Sequence, residues 1–82
     1  MRIKKNIALS ESGFIFHPST GDSYSVNPIG LEILNLMKAG QSSEEIKAHM
    51  LEHYRVDGDS FEKDFYDFQV MLRTYKLVED HE

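Results

Sequence analysis

The chain of 82 residues carries 14 Asp and Glu against 9 Lys and Arg, a formal charge of −5, and no cysteine. That length allows a single domain over residues 1–82 with one modest core, and the missing thiols exclude both a disulfide framework and a thiolate metal site. The negative charge repels phosphate backbones and anionic lipid, so neither nucleic acid nor a membrane is an expected partner; with no apolar run near the roughly 20 residues that span a bilayer and no signal-peptide stretch at the start, a cytoplasmic location is expected.

Strand signals fill the first third. Ile3, Ile7 and Leu9 share one parity, as on the apolar side of a half-buried strand that Lys5 interrupts. Ser10-Glu11-Ser12-Gly13 then breaks the chain before Phe14-Ile15-Phe16, a β-branched and aromatic run suited to a pleated surface. His17-Pro18-Ser19-Thr20-Gly21-Asp22 has proline early and glycine late, the chemistry of a hairpin loop. In Ser23-Tyr24-Ser25-Val26 the alternation points Tyr24 and Val26 inward and both serines outward, completing a three-stranded meander.

Helical signals begin at Asn27-Pro28, a capping residue followed by proline at the first helical position. Ile29, Ile33, Leu34 and Met37 keep helical spacing until Gly40 stops the first helix. Ser42 and Glu45 form a capping box for a second, with Ile46, Met50 and Tyr54 at intervals of four and Asp57-Gly58 as its break. Asp59 or Ser60 is the expected cap of a third helix, whose stripe of Phe61, Phe65, Phe68, Leu72 and Tyr75 is the cleanest 3.6-residue pattern in the chain. Leu77-Val78 is expected to fold back on the core before the polar end. The expected fold is α+β and winged-helix-like, a three-stranded antiparallel sheet followed by three helices.

Chemistry-bearing motifs are few. His49-Met50-Leu51-Glu52-His53 matches the H-x-x-E-H pattern of inverted zinc peptidases, but such a site needs a third ligand and a cleft, and a solvated helix face is the expected reading. His17 and His81 fall in a turn and at the terminus, where solvation is expected, and no phosphate-binding glycine loop occurs. No catalytic residue, metal or cofactor is expected, and the chain reads as a binding module rather than an enzyme. A winged-helix transcriptional regulator is the alternative. It would set the last helix in the major groove, yet Glu62, Asp64 and Asp67 face Lys63 alone along its first turns.

The functional feature that remains is a strand edge. Ser23, Tyr24, Ser25 and Val26 carry no Lys, Pro or inward charge to discourage pairing, so their main chain can accept an extended peptide as an added strand. Alongside, Asp64, Asp67, Met71 and Tyr75 form a second row on the last helix beside Phe68 of the core stripe, a wall able to select the peptide's side chains. The same free edge would also serve a homodimer.

Taken together, Thr20-Gly21-Asp22-Ser23-Tyr24-Ser25-Val26-Asn27-Pro28-Ile29-Gly30, then Glu44-Glu45-Ile46, Tyr54-Arg55-Val56-Asp57, and Asp64-Phe65 through Leu77-Val78-Glu79 resemble the coenzyme PQQ synthesis protein D family. These are stand-alone recognition domains for ribosomally made, post-translationally modified peptides. The resemblance implies a peptide chaperone that captures the leader segment of a precursor peptide beside its third strand and against its third helix, and presents it to a modifying enzyme, often a radical SAM maturase. By position the strand is Ser23 to Val26 and the helix Ser60 to Tyr75. The precursor and its product do not carry over.

Overall fold

The computed structural model describes residues 2–79, and the chain order is β1 (Arg2–Ile3), β2 (Ala8–Leu9), β3 (Phe14–His17), β4 (Asp22–Ser25), α1 (Pro28–Lys38), α2 (Ser43–His53), α3 (Gly58–Thr74) and β5 (Val78–Glu79). Strands β2, β3 and β4 form the expected antiparallel meander, with Leu9 opposite Ile15 and Ile15 opposite Tyr24. The three helices follow. His81 lies outside the described residues.

The first predicted strand is divided. Ile3, Ile7 and Leu9 do point inward, but Lys4-Lys5-Asn6 makes a turn closed by Ile7 N–H on the Lys4 carbonyl, and β1 leaves to pair with β5 in a separate ribbon. The three charged and polar residues serve as a connection; parity survives a turn, continuity does not.

Helix α1 starts as its sequence dictates: the Asn27 side chain accepts the Gly30 N–H at 2.7 Å and Pro28 occupies the first turn. The Ser42–Glu45 capping box of α2 is complete in both directions. That helix ends at His53, short of the expected break, and Tyr54 is exposed rather than part of a buried stripe. Asp57 accepts the Ser60 N–H at 3.0 Å and is the cap of α3. The cap therefore falls two or three residues before Asp59 and Ser60, because an Asp preceding Gly58 can take the extended backbone that a cap needs.

The core joins Ile15 of the sheet to Leu34 of α1, Ile46 and Met50 of α2, Leu72 of α3 and the following Leu77, all essentially without solvent exposure. Each such side chain contributes roughly 1.5–3 kcal/mol relative to an exposed one. The other face of the sheet is open, with Phe14 54% and Phe16 44% exposed across from Ser25 and Ser23.

Candidate functional site

Strand β4 is the edge of the three-stranded sheet, and alternation decides which of its main-chain groups are free. Val26 N–H donates to the Gly13 carbonyl at 2.8 Å, so in this register Tyr24 and Asp22 also turn their polar groups toward β3. On the other flank, Ser10 N–H on the Phe14 carbonyl shows that Phe14 and Phe16 address β2 instead. Ser23 and Ser25 are left with N–H and C=O pointing off the sheet, and among the described residues those groups have no protein partner. Gly13 makes the pairing possible: it takes φ +94°, and a Cβ there would lie 2.7 Å from the Val26 carbonyl oxygen.

Helix α3 is held beside this edge by two contacts at its C-terminal end. The Tyr24 ring lies 4.5 Å from that of Tyr75, tilted by 30°. The His17 ring is buried, with its Nε2–H donated to the Lys76 carbonyl at 3.2 Å, the position where the chain leaves α3 with φ 59°. His17 was expected to be solvated. It is 4% exposed because it shares the inward face of β3 with Ile15, and that face, rather than the neighbouring turn, decides its environment. Loss of water around the hydroxyl, with the Asp22 carboxylate adding, holds Tyr24 above the ordinary tyrosine value.

Beyond the end of β4, from Val26 onward, α1 and α3 enclose a groove of about 610 Å³. Its floor is Val26, Gly30 and Phe68, its α1 wall Ile29 and Ile33, and its far end Val56 and Asp57 from the α2–α3 connection. Asn27, Asp57, Ser60 and Asp64 are the polar residues of an otherwise apolar surface, and both carboxylates are exposed. An apolar trough with a few polar groups beside unpaired main chain can take an extended segment, anchoring one apolar side chain and holding a cation near it.

Of the residues singled out from sequence, Val26, Asp64 and Phe68 line the groove, while Tyr24 and Tyr75 form the joint at its end. Ser23 and Ser25 supply the edge, with side chains on the open outer face. Met71 is half-buried against the core and Asp67 is exposed on α3; neither lines the groove. As site residues, sequence reasoning missed the rest of the lining, among them Ile29, Gly30, Ile33, Val56, Asp57 and Ser60. A signal existed in Val56, an apolar residue isolated in the short polar connection Arg55–Gly58.

His49 and His53 stack at 4.1 Å, and His49 Nε2 meets a Glu32 carboxylate oxygen at 2.6 Å. Among the described residues no group of three or more His, Cys, Asp or Glu is placed to hold a metal ion. Nor, among the described residues, is any helix long and apolar enough to cross a membrane.

A solved structure described as TbiB1 in complex with the TbiA(beta) leader peptide is similar to this fold, with a TM-score of 0.88 and 27% identity over 100% of this chain and 99% of that one. No curated protein matches the chain. The family model for coenzyme PQQ synthesis protein D (PqqD) matches residues 13–78, which include the whole β3–β4 hairpin and the groove, and the chain belongs to that family.

Proposed function

We propose that this protein is a leader-peptide recognition element: it binds the leader segment of a ribosomally made precursor peptide as an added strand on β4 and presents it to a modifying enzyme. The observation that carries the reading is the pair of outward-facing serines, Ser23 and Ser25, beside a groove walled by α3. The TbiB1 complex, similar over its whole length and holding a leader peptide, supports it.

Energetics divide the work. Edge bonds at about 1 kcal/mol net each do not offset the several kcal/mol of ordering a flexible peptide, so an apolar leader side chain must enter the trough between Val26 and Phe68. Asp57 and Asp64 beside that trough favour a leader with Lys or Arg next to its apolar anchor. The protein acts in the cytoplasm by binding and not by catalysis, and its partner enzyme is a peptide-modifying one such as a radical SAM maturase. The acidic groove counts against a transcriptional regulator. A homodimer through β4 would compete with peptide for the same groups.

The deciding experiment is an NMR titration with synthetic candidate leader peptides that carry an apolar residue next to Lys or Arg. Shifts concentrated at Ser23–Val26, Ile29, Gly30 and Asp57–Phe68, with affinity that weakens as salt is added, are the expected result. Unchanged spectra, or a response confined to other surfaces, would sink the reading.

A further inference from the structure

The groove's far wall is the short α2–α3 connection, which is bridged to α1 through one carboxylate. Glu32 of α1 accepts the Tyr54 hydroxyl on one oxygen and meets His49 Nε2 with the other at 2.6 Å. Because a carboxylate can only accept, both neighbours are donors. His53 Nδ1–H donates to the His49 carbonyl at 2.8 Å, which lays its ring on His49 and braces it. Tyr54 is the residue at which α2 ends, its carbonyl accepts Val56 N–H at 3.2 Å, and Val56 and Asp57 then form the end of the groove. Glu32 itself lies on α1 between Ile29 and Ile33, the opposing wall.

We propose that Glu32 is a positioning residue that latches Tyr54, and with it the Val56–Asp57 wall, against α1, and so sets the width of the peptide groove. The latch rests on the groove reading for its importance to binding, but its geometry stands without it. Among the described residues, the Tyr54 hydroxyl bond to Glu32 ties the start of the connection to α1 while the His49 bond ties α2 to the same carboxylate, and the exposed Tyr54 and Val56 have little burial of their own to hold them. The donors' charge response agrees: hydrogen bonds from Tyr54 and then His49 hold the Glu32 carboxyl below the usual carboxylate range, with His49 and His53 adding through their charge, and the Glu32 partner raises Tyr54 above the ordinary tyrosine value. A carboxylate with a depressed value keeps its stabilising contact above its unfolded value and loses it as pH falls through the folded one. A phenol with a raised value loses it only in strong alkali. The latch is therefore closed across the neutral range and opens in acid.

The test uses the full chain and its Tyr54→Phe, Glu32→Ala and Glu32→Gln variants, with amide relaxation measured in the absence of peptide. The phenylalanine and alanine variants should stay folded while Tyr54–Asp57 gains motion, and Glu32→Gln, which keeps an acceptor for the tyrosine, should recover part of the order. On acidification the wild-type Val56 amide should show a step that Glu32→Gln lacks. Affinity for the synthetic leader peptide should fall about five-fold in Tyr54→Phe, the share of one surface hydrogen bond. Unaltered relaxation at Tyr54–Asp57 in both Tyr54→Phe and Glu32→Ala overturns the latch. A wild-type protein that ignores the peptide overturns the functional reading instead, and the relaxation data still decide the latch.

Discussion

The ring of Tyr24 rests on that of Tyr75 at 4.5 Å, and this pair joins the free edge of the sheet to the last helix at one end of the groove. Aromatic pairs of this kind are worth about 0.5–1.5 kcal/mol beyond the area they cover. Tyr75 is 43% exposed, so removing it leaves the core whole. Tyr75→Ala should therefore lower stability by only about 1 kcal/mol in urea denaturation. Leader affinity, measured by calorimetry, should fall more than that stability loss accounts for, because the helix wall loses its reference to β4. Equal binding by the variant would show that the joint does not set the groove.

The second contact at that end is structural. His17 fills the inner face of β3 and satisfies the Lys76 carbonyl with Nε2–H, while its Nδ1 is buried with no partner among the described residues. His17→Ala leaves both a cavity and an orphaned carbonyl at the end of α3, together about 2–4 kcal/mol. Against a total stability of roughly 5–15 kcal/mol for a small domain, the thermal midpoint should drop by several degrees or more. A midpoint unchanged from wild type would mean that the ring is replaceable by solvent.

Gly30 is the position where binding and folding can be separated. A Cβ there would lie 3.2 Å from Val26 Cβ and from the Asn27 cap oxygen and 3.5 Å from a Phe68 ring carbon, so the floor of the groove is as deep as it is because this residue has no side chain. Gly30→Val should put two methyl groups into the trough. The helix recovers only part of the roughly 1 kcal/mol that separates glycine from alanine, because valine is β-branched, and this offsets a little of the crowding. Expected are a folded protein by circular dichroism and leader affinity weakened by about ten-fold or more, the loss of roughly one buried side chain's contact.

What the sequence makes legible follows from how local each cause is. Capping at Asn27 and Ser42, the hairpin at Pro18 to Gly21 and the stripe from Phe61 to Leu72 are decided within a few residues, and all appear where the pattern places them. The division of the first strand depends on β5, 75 or so positions away in the chain, and no local rule reaches that far. The burial of His17 follows from the alternation of β3, but its carbonyl partner, Lys76, is likewise remote in the chain. In the site, the strand edge is readable because alternation is a property of one strand. The α1 wall and Val56 are not, because a groove is the space left between elements whose relative placement is tertiary.

The sharpest discrimination falls on a single N–H. In the register of β4 the Ser25 N–H points away from β3, so replacing it with proline leaves the protein's own ladder intact, and Tyr24 before it already has the extended backbone that a residue preceding proline requires. An added leader strand would then lack one donor and bury an unpaired carbonyl, about 1–3 kcal/mol, which is at least a five-fold loss of affinity. Ser25→Ala keeps the N–H and removes only a side chain on the open outer face, so it should bind as the wild type does. The pair is best measured together, by calorimetry at one salt concentration with thermal midpoints alongside. If proline and alanine bind the leader alike while both proteins remain folded, the peptide does not pair with the Ser25 N–H, and a strand added along the whole of β4 is ruled out.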